Sequence, residues 1–321
     1  MRIFITGGFG FIGGRLAVHL SEAGHQIVLG SRKPISSVAW LPQAEVLQIE
    51  WDDYQALERS CNNVDLVIHA AGMNAQDCTS DPVGALVFNG VATTRLVAAA
   101  SNAGVKRFIY ISTAHVYASP LKGIITEETC PCNLHPYATS HLAGENVVLG
   151  ASNRGQIDGI VLRLSNAFGA PVDKDVNCWM LLVNDLCRQA VQTRELMLQT
   201  NGLQLRDFIA QSDVCRVVNN LAVYNGASIQ TSIFNLGTGV SSSVLSMAEL
   251  IQKRCTQVLG FEPALKIAEG ALNEKQLMLH YRTDKLDAIG IYTRSTGTTQ
   301  EIDSLLRFCQ TAFNKTQIPS S

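Results

Sequence analysis

The chain opens on Arg2-Ile3-Phe4-Ile5-Thr6-Gly7-Gly8-Phe9-Gly10-Phe11-Ile12-Gly13-Gly14, and this stretch decides the fold. The apolar run 2–5 predicts a buried strand, and residues 15–23 predict an amphipathic helix that ends at Gly24. The glycines follow the spacing Gly8-x-Gly10-x-x-Gly13 and lie between the predicted strand and the predicted helix. This order of elements is typical of a dinucleotide-binding turn, so the spacing indicates a dinucleotide site.

The chemistry of such a turn requires glycine at each of these positions. The first glycine permits the tight turn, the second lets backbone N–H groups approach a pyrophosphate, and the third lets the helix pack on the strand. The helix N-terminus then offers unpaired N–H groups and a partial positive charge. We expect cofactor phosphates to be bound by Gly7, Gly10, Phe11, Ile12 and Gly13. The alternative is a glycine-rich turn without a ligand.

Composition excludes several classes of protein. The 321 residues are 46% apolar and 16% charged, which supplies a sizeable core and gives no signature of disorder. A net charge of −2 gives no indication of nucleic acid or an anionic membrane as a partner.

No apolar run is predicted to span a membrane. The first strand follows Met1 too closely to leave room for a signal peptide, so we expect a cytoplasmic protein. The nine cysteines are scattered and show no metal-type spacing, which favours reduced thiols without a bound metal.

Strand and helix patterns alternate through the first half of the chain. Such alternation predicts an α/β fold, a doubly wound parallel sheet of the Rossmann kind. Further strands are predicted at 26–30, 46–49, 65–69, 108–111, 159–164, 233–236 and 265–267. Helices are predicted at 84–103, 178–192 and 213–224, and again from 246 onward. We assign residues 1–170, with 207–240 returning to them, to a dinucleotide-binding domain. Residues 171–206 and 241–321 are assigned to a smaller, interleaved substrate lobe.

The end of the second strand indicates which dinucleotide is bound. A site specific for NAD places Asp or Glu about 20 residues beyond the glycines, where it holds the ribose 2′-hydroxyl. Here the strand ends in Ser31-Arg32-Lys33, and a hydroxyl with two cations suits a 2′-phosphate. The sequence therefore favours NADP over NAD, the alternative being a solvated basic turn.

With Tyr137-Ala138-Thr139-Ser140-His141 included, the chain resembles the extended short-chain dehydrogenase/reductase family of NAD(P)-dependent nucleotide-sugar epimerases, dehydratases and reductases. The resemblance runs nearly end to end, and its strength lies in many weak motifs that occur in the right order. They are Thr6-Gly7-x-x-Gly10-x-x-Gly13, Asp52-Asp53, His69-Ala70-Ala71, Asn89, Ser112-Thr113, Pro136-Tyr137-x-x-Ser140, Arg163-x-x-Asn166, Arg206-Asp207-Phe208, Asn235-Leu236-Gly237 and Asp284-Lys285.

The resemblance implies roles for individual residues. Tyr137 would be the general acid/base that exchanges a proton with the substrate oxygen, and Thr113 would hold that oxygen. Taken alone, Tyr137 is better interpreted as a structural aromatic; its place at the start of the helix after the Ser-Thr strand reverses that interpretation. Cofactor contacts are implied for Asp52, Asp53, Ala70, Ala71, Ser112, Tyr137 and His141, in addition to the glycine turn and Ser31-Arg32.

One position departs from the family. The family has a lysine four residues after the tyrosine, and this chain has His141. Residues i and i+4 share a helix face, so His141 is placed to touch the ribose and to influence Tyr137. Imidazole titrates near 6.5 and is mostly neutral at pH 7. Two interpretations stay open. One is an enzyme with altered pH dependence, in which His141 is a catalytic residue, and the other is a cofactor-binding protein with reduced chemistry.

Substrate contacts are expected from His115, Asn166, Asn177 and Arg206, the last because its planar fork suits a phosphate. For His115 a backbone-bonded histidine at a strand end is an equal alternative. Ala114-His115 also replaces the Asp-Glu pair that sugar 4,6-dehydratases carry, which argues against dehydration.

The sequence thus predicts a reductase of a nucleotide-activated keto-sugar. A nucleotide-sugar 4-epimerase and a non-catalytic NADP-binding regulator are the alternatives. The resemblance also implies a homodimer paired through helices 84–103 and 137–149, which carry apolar residues on more than one face. These residues are Leu86, Val87, Val91, Leu96, Val97, Leu142, Val147, Val148 and Leu149.

Overall fold

The computed structural model of the protein describes residues 1–35, 37–225, 233–272, 275–293 and 297–313. The strands are β1 (Arg2–Thr6), β2 (Gln26–Ser31), β3 (Glu45–Gln48), β4 (Leu66–His69), β5 (Arg107–Thr113), β6 (Gly123–Ile125), β7 (Asp158–Leu164), β8 (Asn166–Phe168), β9 (Glu195–Thr200), β10 (Leu205–Ala210), β11 (Ile233–Leu236), β12 (Ser241–Ser243), β13 (Ala264–Leu272) and β14 (Leu279–Tyr281). The α-helices are α1 (Phe11–Glu22), α2 (Tyr54–Ser60), α3 (Ala75–Ser80), α4 (Pro82–Ala85), α5 (Thr93–Asn102), α6 (Pro136–Asn153), α7 (Leu182–Thr193), α8 (Gln211–Val223), α9 (Val244–Leu259), α10 (Asp284–Ala288) and α11 (Thr298–Phe313).

A parallel sheet of seven strands forms the centre, in the order β11-β7-β5-β4-β1-β2-β3. The predicted doubly wound α/β fold is confirmed. The chain starts at β1, runs outward to β3 and then crosses back to β4, so the strand order reverses between β1 and β4. Separate apolar clusters cover the two faces of the sheet. Ligands of such sheets bind outside the carboxyl ends of the strands at the reversal point.

Two predicted helices differ from those observed. The segment 84–103 is a composite in which a π-helical stretch, Leu86–Ala92, separates α4 from α5. Helix 178–192 begins only at Leu182, because Leu181 has an extended backbone and the preceding residues form a turn. That turn is held by the Trp179 indole, which donates to the Lys174 carbonyl at 2.8 Å.

The expectation that no apolar run reaches membrane-spanning length was wrong. Among the described residues, the continuous helix Pro82–Asn102 is long and apolar enough, with a mean hydropathy of 1.4. Half of this segment is buried inside the protein, and the helix packs against α2 and α6. Such burial is typical of a core helix, so the segment is weak support for a membrane span.

A third apolar cluster lies outside the central sheet and involves α7, α9 and α11. It is tied to the first βα unit by a salt bridge between Arg15 on α1 and Glu301 on α11, with N–O distances of 2.8 and 3.2 Å. The same guanidinium donates to the Ala170 carbonyl at 2.8 Å. Three small sheets, β12-β10-β8, β13-β9 and β14-β6, complete the fold.

A buried polar network joins the carboxyl-terminal parts of β5 and β7 to helix α6. The Glu145 carboxylate on α6 accepts hydrogen bonds from Arg163 Nη2 at 2.7 Å and from Ser112 Oγ at 2.5 Å. Glu145 is fully buried and Arg163 is 3% exposed. A buried ion pair that loses one partner leaves an uncompensated charge in a low-dielectric interior.

Another buried network pins β1 to β4 and α5 through His69. Thr6 Oγ1 lies 2.6 Å from His69 Nδ1, and Thr93 Oγ1 lies 2.9 Å from Nε2. The Thr93 hydroxyl gives its proton to the Asn89 carbonyl at 2.7 Å, so His69 Nε2–H must donate to it. Burial, helped by His141, lowers the pKa of His69 to about 3, so the ring is neutral at pH 7.

We expect Glu145→Gln to lower the free energy of unfolding by about 3–5 kcal/mol, because the Arg163 charge would stay buried without its counter-charge. Urea unfolding measures this value. The matched control is Glu195→Gln, which breaks an exposed salt bridge to Lys266 and should cost about 1 kcal/mol or less. Equal effects of the two substitutions would contradict the structural role of the Glu145 network.

The buried histidine predicts a pH dependence of stability. Between pH 6.5 and about 3 the unfolded state protonates His69 and the folded state does not, so stability is lost as pH falls. This contribution amounts to about 2 kcal/mol between pH 6.5 and 5. Urea unfolding at pH 7 and pH 5 should therefore show a smaller difference for His69→Asn than for the unsubstituted protein. His280→Asn, which replaces an exposed histidine, should keep the full difference.

Candidate active site

Three backbone segments meet at the reversal point of the sheet. Gly7 has a φ of +70°, and a Cβ there would lie 2.6 Å from the Ala70 carbonyl and the Ala71 nitrogen. A Cβ on Gly13 would lie 2.2 Å from the Gly7 carbonyl oxygen. Only glycine at positions 7 and 13 allows these backbone segments to approach so closely. Their close approach places the N-terminus of α1 directly over the end of β1.

The N-terminus of α1 is built to hold an anion. Gly10 caps the helix without a side-chain hydrogen bond, and the first turn contains no acidic residue. Phe11 and Ile12, the first residues of the helix, line the adjoining cleft. Uncapped N–H groups and the helix dipole suit a phosphate, so the residues present fit a dinucleotide pyrophosphate.

The cleft itself has a volume of about 420 Å³ and lies across the carboxyl ends of β1, β4, β5 and β7. The predicted residues that line it are Phe11, Ile12, Ala70, Ser112, Thr113, His115, Tyr137, His141, Asn166 and Arg206. None of the described residues lining it is acidic. An anionic ligand therefore meets no repelling side chain there.

Thr113 and Tyr137 lie together in the cleft. Thr113 ends β5, and Tyr137 is the second residue of α6, where its N–H donates to the ring of His135 at 3.1 Å. Burial raises the pKa of Tyr137, and a hydrogen bond with Thr113 opposes that rise in part. The phenol is thus protonated at neutral pH, which suits a proton donor.

His141 lies one helical turn after Tyr137, with 4.6 Å between the two ring centroids. It is 6% exposed, and burial lowers its pKa to about 4. The His141 ring is therefore uncharged at neutral pH. Its Nδ1 is 2.9 Å from the hydroxyl of Tyr110, a residue that sequence analysis did not select. In the sequence, the position of Tyr110 was indicated only by the alternation of side chains along β5, which places Tyr110 on the face of the sheet that α6 covers.

Asn89 holds the floor of the cleft from within the π-helical stretch. Its Oδ1 accepts from the Met73 N–H at 3.0 Å, and its Nδ2 donates to Ser140 Oγ at 3.0 Å. These bonds link the loop after β4 to α6. Met73 and Gly72 from that loop line the cleft and were also missed by the sequence motifs.

The residues expected at the adenosine end lie outside the cleft. Ser31 is buried, and its Oγ accepts from the Lys33 N–H at 3.0 Å. Arg32 and Lys33 are exposed beyond the end of β2. Asp52 forms an ion pair with Arg95. Asp53 caps α2 by accepting from the Ala56 N–H at 3.0 Å.

Three of the four expected substrate residues reach the cleft. Burial and the charge of Arg206 lower the pKa of His115, so this histidine is neutral at pH 7. Asn166 Nδ2 donates to the Asp207 carbonyl at 3.0 Å. The structure does not bring Asn177 to the cleft; it is exposed in the turn before α7. Met180 and Leu181, farther along that turn, line the cleft in its place.

The described part of the chain contains no group of three or more His, Cys, Asp or Glu side chains arranged to hold a metal ion. The nine cysteines are free thiols, seven of them buried.

Comparisons with known proteins agree with this geometry. The family model "NAD dependent epimerase/dehydratase family" matches residues 3–237. The dTDP-D-glucose 4,6-dehydratase of Mus musculus is 28% identical over 268 residues, 78% of this chain and 72% of that protein. The UDP-glucose 4-epimerase of Halalkalibacterium halodurans is 26% identical over 282 residues, 84% of this chain and 83% of that protein.

Solved structures share the fold. A UDP-glucose 4-epimerase of Thermotoga maritima with UDP-glucose has a TM-score of 0.79 at 22% identity, covering 97% of this chain and 99% of that one. MoeE5 in complex with UDP-glucose and NAD has a TM-score of 0.76 at 24% identity, with the same coverage. The family model spans most of the chain. The protein therefore belongs to the NAD dependent epimerase/dehydratase family, and is an NAD(P)-dependent enzyme of the extended short-chain dehydrogenase/reductase type.

Proposed function

We propose that the protein reduces a nucleotide-activated keto-sugar with NADPH, and that Tyr137 is the general acid. The observation that carries this proposal is the position of Tyr137 beside Thr113, in a cleft where no described lining residue is acidic and where burial raises the pKa of the phenol. A proton donor is needed when a carbonyl is reduced to a hydroxyl, because the oxygen gains negative charge as the C–H bond forms.

The residues of the chain divide this task between them. The nicotinamide dinucleotide, when bound, supplies the hydride. The Thr113 hydroxyl orients the carbonyl oxygen, and Tyr137 gives its phenolic proton to that oxygen. The reverse step would need Tyr137 as an anion, which burial disfavours and which neutral His141 does not compensate. The reductive direction is therefore the one that these side chains support.

The substrate class follows from the polar groups of the cleft. Arg206 supplies a planar cation suited to a phosphate, and Asn166 and His115 supply further polar contacts. A sugar 4,6-dehydratase needs an acidic pair after its threonine, and Ala114-His115 stands there. We propose a nucleoside diphosphate sugar whose sugar ring faces Tyr137.

A 4-epimerase is the second candidate, and one observation favours it. The curated UDP-glucose 4-epimerase from Halalkalibacterium halodurans is similar over more than four-fifths of both chains. Epimerisation uses the same Tyr137 alternately as base and acid. It returns the cofactor to its starting state, so the two reactions differ in net cofactor consumption.

NADP is proposed over NAD on the basis of Arg32 and Lys33. Both are exposed beyond β2, and no acidic residue stands at that strand end. Two exposed cations suit a 2′-phosphate through charge-assisted hydrogen bonds.

Organisation and assembly are also proposals. The assignment of 171–206 and 241–321 to substrate binding is supported by the apolar cluster around α7, α9 and α11.

A homodimer is supported by Leu86, Val87 and Val91, which are 43–51% exposed on neighbouring turns. Leu96, Val97 and Val148 contribute nothing to such a surface, because they are buried against the sheet. A cytoplasmic location fits the free thiols.

The reaction is tested by mixing the purified protein with UDP-, dTDP- and GDP-linked keto-sugars while NADPH absorbance and sugar NMR spectra are followed. We expect net NADPH oxidation and a kcat that falls about 10²–10⁴-fold in Tyr137→Phe, because the proton donor is lost. Tyr292→Phe, a change at an exposed tyrosine, is the control. Conversion of the sugar without net oxidation would identify an epimerase. Binding without turnover would contradict both reactions.

Cofactor preference is tested by titration with NADPH and NADH. We expect NADPH to bind at least about tenfold more tightly, a difference of about 1.4 kcal/mol. Arg32→Asp should narrow or invert this ratio, because a carboxylate repels the 2′-phosphate. Arg307→Asp places the same charge change on an exposed position of α11 and should leave the ratio unchanged. Equal affinities in the unsubstituted protein would overturn the assignment of NADP.

A further inference from the structure

Tyr110 and His141 form a buried pair directly behind the cleft. The Tyr110 hydroxyl lies 2.9 Å from His141 Nδ1, and the side chains are 1% and 6% exposed. Gly144, on the next turn of α6, makes room for this hydroxyl. A Cβ on Gly144 would lie 2.6 Å from the phenolic oxygen.

The direction of this hydrogen bond follows from burial. The Tyr110 phenol is neutral, because burial and the nearby Glu145 raise its pKa well above the usual value. Its proton needs an acceptor, and an unpaired buried hydroxyl costs about 1–3 kcal/mol. Among the described residues, His141 Nδ1 is the hydrogen-bond partner of this hydroxyl. Tyr110 O–H therefore donates to Nδ1, which must be unprotonated.

A neutral imidazole that accepts at Nδ1 carries its proton on Nε2. The Nε2 edge of His141 borders the cleft beside Gly72. A Cβ on Gly72 would lie 3.3 Å from Cε1 and 3.5 Å from Nε2, and both residues line the cleft. The absence of a side chain on Gly72 leaves this edge of the ring open.

We infer that Tyr110 is a positioning residue that locks His141 as its Nε2–H tautomer, so that α6 presents a neutral N–H donor to an oxygen of the bound dinucleotide. The assignment of the tautomer depends only on the geometry of this chain. The hydrogen bond from Nε2–H to the dinucleotide rests on the proposed function. A hydrogen bond from a neutral donor thus replaces a positive charge at this position.

The tautomer is tested first in the ligand-free protein, by NMR of ¹⁵N-labelled histidine. We expect the His141 signals, identified by their loss in His141→Leu, to show Nδ1 unprotonated and Nε2 protonated. In Tyr110→Phe the two tautomers should mix. His69 is an internal control, because Thr6 and Thr93 fix its tautomer independently. Tyr281→Phe removes another fully buried hydroxyl, which donates to the Arg163 carbonyl at 2.6 Å, and should leave His141 unchanged.

A protonated Nδ1 in the unsubstituted protein would overturn the inference without any variant, even where Tyr110→Phe fails to fold. A His141 tautomer that is unaffected in a folded Tyr110→Phe protein would overturn the role of Tyr110.

Ligand use is tested by NADPH titration of the same proteins. Loss of one neutral hydrogen bond corresponds to about a fivefold weaker affinity, and we expect this in His141→Leu. His141→Gln, whose amide offers a neutral donor, should bind more tightly than His141→Leu. Tyr110→Phe should weaken binding in the original background and have no further effect with Leu at 141. Additive effects would refute the coupling. A protein that binds no dinucleotide would refute the proposed function while leaving the measured tautomer intact.

Discussion

The contact on which the architecture depends is a backbone contact in which no side chain takes part. Gly13 on α1 lies against the carbonyl of Gly7, and Gly7 in turn lies against Ala70 at the end of β4. Any Cβ at either glycine would overlap main-chain atoms, which cannot move aside as a flexible side chain would. This approach fixes α1 over the sheet and opens a cleft between β1 and β4, where the strand order reverses.

Around that contact the interior is polar but carries little charge. His69 and His141 are both held neutral by burial, and each is fixed by neighbouring hydroxyl groups. Near the cleft, one buried ion pair is Glu145–Arg163, which Ser112 connects to the end of β5. The cleft therefore orients its ligands through hydrogen bonds and leaves the positive charge to Arg206. Burial raises the pKa of Tyr137, and the neutral His141 beside it does not lower that pKa again.

The helices of the C-terminal part are joined to this framework at a few polar points. Arg15 on α1 contacts both Glu301 and the Ala170 carbonyl, so the helix whose first residues line the cleft also anchors α11. Asp207 performs a similar task on β10, where its buried carboxylate accepts from Ser165 Oγ at 2.7 Å and from the Thr238 N–H at 2.9 Å. Such bonds hold the preceding residue, Arg206, in the lining of the cleft.

The sequence by itself determined the α/β class, the sheet, the glycine turn and the positions of Thr113 and Tyr137. Those features depend on local patterns, namely apolar runs, glycine spacing and the order of short motifs, which are legible without a fold. Tertiary structure alone decided that Asn177 lies outside the cleft lining while Met180 and Leu181 belong to it, because a turn and not a helix precedes α7. The tertiary structure also decided the charge and the hydrogen-bond partner of His141. The sequence shows a histidine in place of a lysine, but its neutrality and its pairing with Tyr110 arise from burial between β5 and α6, two elements far apart in the chain.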